Sequence, residues 1–175
     1  MSAACTALDF PVVSGNVSLY NETYGQAIMP TPAIGGIGIL ENLDHFADLA
    51  LRRVDDALLL IGESTGHLEQ SIYVQQLLGL KGGMPPPVDL TTERKNGDFI
   101  RELIEQGYVN TCHDLSDGGL LVAATEMALS GNIGLTLEGP KDPGFWFGED
   151  QARYLLSVPK SEMVLLFRKR RLKIN

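Results

Sequence analysis

Two helix patterns alternate with short apolar strand patterns in the second half of the chain, and this order restricts the fold more than any other feature. Residues 89–106 and 118–129 place apolar side chains at helical spacing, and glycines follow both segments. The strand patterns are residues 57–61, 109–112, 133–137 and 154–158. Such alternation predicts an α/β or α+β fold, with parallel or mixed strand pairing left open.

The first half of the chain contains two further apolar segments, both interrupted by glycine. Residues 12–19 resemble a strand, but Ser14, Gly15 and Asn16 lie in its middle, and residues 34–40 predict a glycine-rich strand. Glycine lets a ligand or another backbone approach, an asparagine oxygen suits a hard cation, and serine hydroxyls can donate to phosphate. The pattern alone favours a β-bulge followed by a turn over a ligand site.

Composition indicates a soluble globular protein. The 175 residues are 44% hydrophobic and 21% charged, and no apolar run approaches the roughly 20 residues that cross a bilayer. The first residues lack the basic and apolar regions of a secretory signal. Cys5 and Cys112 are far apart and lack metal-ligand spacing. We therefore expect a cytoplasmic protein with free thiols and no membrane partner.

The net charge of −8 is unevenly distributed along the chain. Five of the 14 basic residues lie in residues 168–175, so the first 167 residues carry nine basic and 22 acidic side chains, a net charge of −13. A body this acidic is not expected to bind nucleic acid, and anionic substrates would require metal ions or backbone amide donors. For the basic tail, a frayed terminus is favoured over a nucleic-acid or membrane patch.

Two stretches in the second half combine glycine with acidic side chains. Residues 113–119 (His-Asp-Leu-Ser-Asp-Gly-Gly) precede a helix, which Ser116 or Asp117 could cap, while the two glycines leave amides free for an anion. The cap is the favoured interpretation. Residues 147–151 (Phe-Gly-Glu-Asp-Gln) could bind a metal or a sugar hydroxyl, or begin a helix. No Walker lysine, GxSxG or CxxC motif occurs, which disfavours P-loop kinases, α/β-hydrolases and zinc modules.

Several of these stretches together resemble one enzyme family. Residues 7–22 (Ala-Leu-Asp-Phe-Pro-Val-Val-Ser-Gly-Asn-Val-Ser-Leu-Tyr-Asn-Glu) are similar to a segment of the phosphoribosylformylglycinamidine synthases, the synthase subunits of formylglycinamide ribonucleotide amidotransferase. Further similar stretches follow in the same order at residues 30–35, 60–63, 113–119 and 147–153. The family is related to aminoimidazole ribonucleotide synthetase.

The resemblance implies a fold, a reaction and site residues. Residues 1–55 would end a synthetase-like ATP-binding domain, and residues 56–175 would form a mostly complete C-terminal-type α/β domain. The family is an ATP-dependent ligase of purine biosynthesis, which converts formylglycinamide ribonucleotide, ammonia from glutamine and ATP to formylglycinamidine ribonucleotide, ADP and phosphate. Gly15 would contact ATP, Asn16 would bind Mg²⁺ and Ser18 would contact the substrate. A second nucleotide site would involve Asp114, Ser116, Asp117, Gly118, Gly119 and Glu149.

The resemblance also implies partners and limits. A glutaminase subunit and a small accessory subunit would complete the complex. Residues 67–70 replace a glycine-rich turn of the family, and the sequence after residue 160 departs from it. We expect a truncated synthase without turnover of its own, with apolar edges that could pair two copies as a homodimer. A non-catalytic nucleotide-binding or assembly module is the alternative, and a thiamine-phosphate or selenophosphate kinase is a weaker one.

Overall fold

The computed structural model describes residues 1–164 and Leu166. The chain divides into two compact units, Met1–Glu41 (unit 1) and Asn42–Asn175 (unit 2). Unit 1 contains helix α1 (Ser2–Ala7) and the antiparallel strands β1 (Glu22–Thr23) and β2 (Gln26–Ala27). Tyr24 and Gly25 join these strands with φ of 52° and 76°. Two successive positive φ angles are typical of a tight two-residue hairpin.

The strands predicted at residues 12–19 and 34–40 do not form, so both predictions are wrong. These residues have no regular secondary structure, and Val13, Leu19 and Ile37 are more than 90% exposed. A strand needs a neighbouring backbone to satisfy its amides and carbonyls. Among the described residues of unit 1, only β1 and β2 pair, so the apolar alternation has no ladder to join.

Unit 2 is built on a three-stranded antiparallel sheet. Its strands are β3 (Ala57–Ile61), β4 (Cys112–Asp114) and β5 (Tyr154–Val158), in the order β3-β5-β4. Leu156 of β5 lies opposite Leu59 on one side and Cys112 on the other. The predictions for β3 and β5 are confirmed. The strand predicted at 109–112 begins only at Cys112, because Val109 donates its N–H to Leu103 at the end of a helix.

The two longer helices in the described part of unit 2 follow the sequence patterns closely. They are α2 (Leu90–Glu105) and α3 (Gly119–Gly131), and a short helix that was not predicted, α4 (Pro143–Phe147), lies after them. Asp89 caps α2 by accepting hydrogen bonds from the amides of Thr91 and Thr92. A short π-helix is formed by Tyr73–Leu77. In the described part of the chain, no helix combines the length and apolarity that a membrane crossing requires.

The hydrophobic core lies on both faces of the sheet. Leu59 and Ile61 belong to one cluster, while Leu58 and Leu60 contact the other, so alternate residues of β3 serve opposite faces. The first cluster is formed by Leu59, Ile61, Phe99, Ile100, Leu103, Val109, Leu156, Val158 and Leu166. The second is formed by Leu51, Leu115, Leu120, Ala123, Ala124, Met127 and Leu155. Helices and antiparallel strands thus give unit 2 an α+β fold.

The strand predicted at residues 133–137 is also absent, and this prediction is wrong. The segment has no paired strand, although its burial alternates: Ile133 and Leu135 are half-buried, while Gly134 and Thr136 are exposed. Apolar periodicity therefore identified the covered side of the segment correctly. It did not supply the backbone partner that a strand requires.

Candidate functional site

The loop at residues 14–18 of unit 1 is exposed along its whole length. A Cβ built on Gly15 would meet no atom within 4 Å, so its backbone is open to approach. Ser18 Oγ donates to the carbonyl of Tyr20 at 3.2 Å, and Asn21 Nδ2 donates to the carbonyl of Ser18 at 2.6 Å. These local bonds form a turn that leads into β1. The loop therefore presents backbone and small polar side chains to solvent.

Asn16 has the chemistry of a magnesium ligand, but not a complete ligand set. Its exposed amide supplies one oxygen, and Mg²⁺ is usually held by one or two protein oxygens together with waters and substrate phosphates. Within residues 1–164 and Leu166, no group of three or more His, Cys, Asp or Glu side chains is arranged to hold a metal. Asn16 can therefore supply one oxygen ligand, and the magnesium site itself stays a prediction.

The stretch 113–119 connects β4 to α3 in unit 2, without the predicted cap. The residue before α3 is Gly118, with a left-handed φ of 79°, and no side chain of the N-cap residue caps the helix. The expectation that Ser116 or Asp117 caps α3 is therefore wrong. Instead, the amide of Gly118 donates to Glu149 Oε1 at 2.8 Å. A carboxylate distant in sequence thus satisfies the first amide of this turn.

Glu149 joins three segments of unit 2. Its Oε1 also accepts from the amide of Ile72 at 2.8 Å, and its own amide donates to the carbonyl of His67 at 2.9 Å. Of the residues predicted for a second nucleotide site, the structure therefore brings Gly118, Gly119 and Glu149 together. The other three, Asp114, Ser116 and Asp117, are exposed. The second nucleotide site itself stays a prediction.

Gly119 allows the start of α3 to contact the loop after α4. Its φ is 65°, and a Cβ built there would lie 2.5 Å from the carbonyl oxygen of Gly148 and 2.8 Å from the carbonyl carbon of Phe147. Both obstacles are backbone atoms, which cannot rotate aside as a side chain could. Glycine is therefore required here by close packing and by the left-handed conformation together.

Asp150 holds the loop that follows β3. Its carboxylate accepts hydrogen bonds from the Thr65 amide at 3.1 Å, the Thr65 hydroxyl, the Gly66 amide at 3.0 Å and the His67 amide at 3.4 Å. Burial acts to raise the pKa of Asp150, but the bonds from Thr65 and Gly66 and the Arg153 charge lower the pKa on balance. No helix begins at residues 149–151, so the acidic-first-turn interpretation is wrong.

Arg153 is a structural residue that sequence analysis did not single out. It is 1% exposed, and its guanidinium donates to Ser64 Oγ at 3.0 Å, the carbonyl of Asp150 at 3.0 Å and the carbonyl of Gly148. Desolvation lowers its pKa, while the charges of Asp150 and Glu149 raise it. The sequence does contain a signal for this role. Arg153 follows two acidic residues and directly precedes the apolar strand β5, and a buried arginine needs acidic or polar partners.

The three histidines all make contacts within the chain. His45 Nδ1 lies 2.7 Å from the carbonyl of Glu105, and His67 Nε2 lies 2.9 Å from the carbonyl of Met84. His113 Nε2 lies 2.9 Å from Glu126 Oε2, which connects β4 to α3. The polar groups of unit 2 are therefore largely engaged in holding its own loops, whereas the 14–18 loop of unit 1 is open.

Comparison with protein families assigns most of unit 2. Residues 53–172 match the family described as "AIR synthase related protein, C-terminal domain". The chain belongs to this family. The match begins eleven residues after the start of unit 2. The domain boundary expected between residues 55 and 56 stays a prediction.

Curated relatives extend the similarity across nearly the whole chain. The phosphoribosylformylglycinamidine synthase subunit PurL of Nitrobacter hamburgensis is 51% identical over 173 residues, which cover 97% of this chain and 23% of the relative. The same subunit of Rhodospirillum rubrum is 58% identical over 168 residues, covering 93% and 23%. The chain thus spans about a quarter of the length of the relatives that it matches.

Solved structures share the fold of this family member. Thermotoga maritima PurL complexed with FGAR matches with a TM-score of 0.60 at 19% identity, covering 74% of this chain and 24% of that one. Thermotoga maritima PurL complexed with ATP matches with a TM-score of 0.54 at 18% identity, covering 74% and 22%. At this identity the likeness establishes the fold alone.

Proposed function

We propose that this chain contributes part of the active site of a phosphoribosylformylglycinamidine synthase in purine biosynthesis. The enzyme converts formylglycinamide ribonucleotide, ammonia from glutamine and ATP to formylglycinamidine ribonucleotide, ADP and phosphate. The observation that carries this proposal is 51–58% identity to subunits of that name over nearly the whole chain. Since the chain spans about a quarter of those relatives, the activity belongs to a longer assembly of which this chain is one part.

The proposed contribution of the 14–18 loop is to hold the nucleotide. The open backbone at Gly15 leaves room for phosphates, Asn16 offers one oxygen to Mg²⁺, and the Ser18 hydroxyl can turn from Tyr20 to a substrate oxygen. Mg²⁺ would neutralise phosphate charge, which a protein body of net charge −13 cannot do. Phosphoryl transfer depends mainly on positioning and charge neutralisation, so an open loop of small residues is suited to it.

The first test is turnover by the purified chain. We expect no ADP formation when ATP, Mg²⁺, formylglycinamide ribonucleotide and ammonia are supplied, because this chain spans only about a quarter of the relatives named for that activity. ADP formation that depends on the ribonucleotide would overturn this expectation and make the chain an autonomous enzyme.

The second test is nucleotide binding by calorimetric titration with Mg-ATP. Gly15→Val and Asn16→Asp should each weaken binding, by blocking backbone approach in one case and by changing the metal ligand in the other. Gly38→Val is the matched control, because a Cβ at Gly38 also meets no atom within 4 Å. If both loop variants bind as tightly as the parent chain, the assigned site is wrong.

The same titration tests the proposed second nucleotide site. Its amides at Gly118 and Ile72 already donate to Glu149, so a phosphate there would have to displace that carboxylate. A stoichiometry of two Mg-ATP per chain, of which one remains in Gly15→Val, would support the site. If one Mg-ATP binds per chain and Gly15→Val abolishes that binding, only the site at residues 14–18 binds nucleotide.

We further propose that the assembly is cytoplasmic and includes a glutaminase subunit and a small accessory subunit, with a ribonucleotide substrate and no nucleic acid or membrane partner. A solved complex described as PurLQS from Thermotoga maritima contains a structural relative of this chain, which supports a multisubunit arrangement. Affinity purification of the tagged chain from its own cells, followed by mass spectrometry, tests this. Recovery without a glutaminase would contradict it.

The alternative function is a non-catalytic nucleotide-binding or assembly module. The exposed apolar residues of unit 1 favour this alternative, since Ile34, Ile37 and Ile39 are 69%, 98% and 85% exposed. Exposed apolar surface promotes association, including the proposed homodimer. Light scattering distinguishes the outcomes: a concentration-dependent dimer supports an assembly role, and a monomer at all concentrations contradicts it.

A further inference from the structure

Three consecutive prolines precede α2 in unit 2. Residues 84–88 (the proline segment) read Met-Pro-Pro-Pro-Val. The proline ring fixes φ near −65° and restricts the residue before it to extended conformations. A run of three prolines therefore favours the extended polyproline II conformation, which forms no hydrogen bonds within itself.

Both ends of the proline segment are held by the rest of unit 2. At its start, the amide of Met84 donates to Glu69 Oε2 at 2.6 Å, and the carbonyl of Met84 lies 2.9 Å from His67 Nε2. At its end, the next residue is Asp89, whose side chain caps α2. Because the backbone between these points is already restrained, binding to a partner would cost little further conformational entropy.

The proline segment is exposed and makes little use of its own polar groups. Met84 is 70% exposed, Pro85 and Pro87 are exposed, and Pro86 is half-buried. Within the described residues, no hydrogen bond reaches the carbonyls of these three prolines. The exposed proline rings and the carbonyls are therefore open to contact from outside the chain.

The stretch that contains the proline segment is nearly uncharged. Residues 70–88 carry one charged side chain, Lys81, in a body of 167 residues with nine basic and 22 acidic side chains. The same stretch exposes the apolar side chains of Leu77 and Leu80. Depletion of charge together with exposed apolar side chains is typical of the central part of a protein interface. Composition thus marks this stretch as a docking surface.

We propose that the proline segment docks into a groove lined by aromatic side chains on a partner protein. Aromatic rings pack against proline rings, and a tyrosine hydroxyl or an indole N–H donates to the carbonyls of an extended proline-rich segment. The chain spans about a quarter of the relatives that it matches, so the partner surface belongs to the longer assembly proposed above. The docking requires no nucleotide site, so its failure would leave the proposed nucleotide binding standing.

Site-specific photocrosslinking in the cells of origin tests the docking. A benzophenone amino acid replaces Val88 in the tagged chain and, as the control, Val164, because these two valines are 62% and 61% exposed. We expect the probe at residue 88 to crosslink one other protein, at a peptide that contains aromatic residues, and the probe at residue 164 not to do so. No crosslink above the control, a crosslinked peptide without aromatic residues, or a crosslink to a second copy of this chain would each overturn the proposal.

Calorimetric titration with the purified crosslinked protein measures what the prolines contribute. Replacing Pro85, Pro86 and Pro87 together by alanine keeps the segment apolar but removes the rings and the fixed φ. We expect at least about tenfold weaker binding, which corresponds to about 1.4 kcal/mol. Val164→Ala is the control and should bind as the parent chain does. Unchanged affinity of the triple variant would overturn the proposal.

A synthetic peptide of residues 82–90 covers the case in which the triple variant does not fold, as judged by circular dichroism. Added in excess to the parent chain and its partner, this peptide should abolish the crosslink from residue 88. A crosslink that persists would show that the proline segment is not what the partner recognises and would overturn the proposal.

Discussion

Two loops that combine glycine with polar side chains, residues 14–18 in unit 1 and residues 148–153 in unit 2, differ in almost every physical respect. The first is fully exposed and makes only local hydrogen bonds. The second contains the buried Asp150 and Arg153, and its bonds reach segments more than 80 residues away. Similar residue types thus serve an open surface in one case and an internal framework in the other.

A polar side chain is available to a ligand only when the chain itself does not already satisfy its hydrogen bonds. Glu149 accepts two backbone amides, and Asp150 accepts hydrogen bonds from three successive residues. Because a buried charge without partners is costly, these contacts stabilise the folded chain. The 14–18 loop carries no comparable requirement. Substitutions in the two loops should therefore separate stability from binding.

Replacing Arg153 should lower the free energy of unfolding more than any of the other substitutions below. Arg153→Met removes the cation that donates to Ser64, Asp150 and Gly148, and the carbonyls of the buried Asp150 and Gly148 lose this donor. We expect the free energy of unfolding to fall by about 3–5 kcal/mol, measured by urea denaturation. Arg101→Met, at an arginine whose side chain is 64% exposed, is the control and should change stability by less than about 0.5 kcal/mol. A loss below about 1 kcal/mol for Arg153→Met would erase the proposed contrast.

A smaller effect should come from a methyl group at two glycines. Gly119→Ala puts a Cβ against the backbone of Gly148 at a φ of 65°, and should cost about 2–3 kcal/mol of unfolding free energy. Gly15→Ala meets open space and should change stability by less than about 0.5 kcal/mol. Thermal unfolding of both variants beside the parent chain measures the difference. Equal losses would show that the 14–18 loop is packed in solution.

Asp150 should add a pH dependence to stability. Its pKa is lowered in the folded chain, so its ionised form contributes stability at neutral pH that is lost as the pH falls below 3.8, the ordinary pKa. Asp150→Asn should cost roughly 1–2 kcal/mol at pH 7 and flatten this acid dependence. Urea denaturation at pH 7 and pH 3 provides the measurement. Asp117→Asn, at an exposed position, is the control and should lose stability in acid as the parent chain does. If the stability of Asp150→Asn falls as steeply between pH 7 and pH 3 as that of the parent chain, Asp150 is not the source of the pH dependence.

The last prediction concerns the reactivity of the two thiols and involves no change in stability. Burial, assisted by the charge of Asp114, raises the pKa of Cys112 to about 12. About one Cys112 thiol in 10⁴ is then ionised at pH 8, so iodoacetamide should modify it far more slowly than Cys5 of unit 1. Peptide mass spectrometry measures both rates. Equal rates in the native chain would show that β4 opens readily.

Sequence patterns predicted the elements whose stabilisation is local or periodic. The capping carboxylate of Asp89, the apolar spacing of α2 and α3, and the continuous apolar run of β3 all lie within one short segment. The same method failed at residues 12–19, 34–40 and 133–137. Their apolar alternation is real, but a strand also needs a neighbouring backbone, and no short segment contains that information.

The site residues divide in the same way. Gly15, Asn16 and Ser18 were selected from residue chemistry and family resemblance, and the structure adds that they are exposed and that Gly15 has open space around it. Arg153 was missed, because its importance depends on Ser64, which lies 89 residues away in the sequence.

The amino-acid sequence was enough to predict α2 and α3, two of the three described strands of unit 2, the family resemblance and the acidic character of the first 167 residues. Only the folded structure shows which glycines are confined by neighbouring backbone, which carboxylates accept hydrogen bonds from amides, and which strands pair among the described residues. The physical reason is one of range: helical periodicity and capping act over a few residues, whereas burial and hydrogen-bond satisfaction depend on segments brought together only by folding.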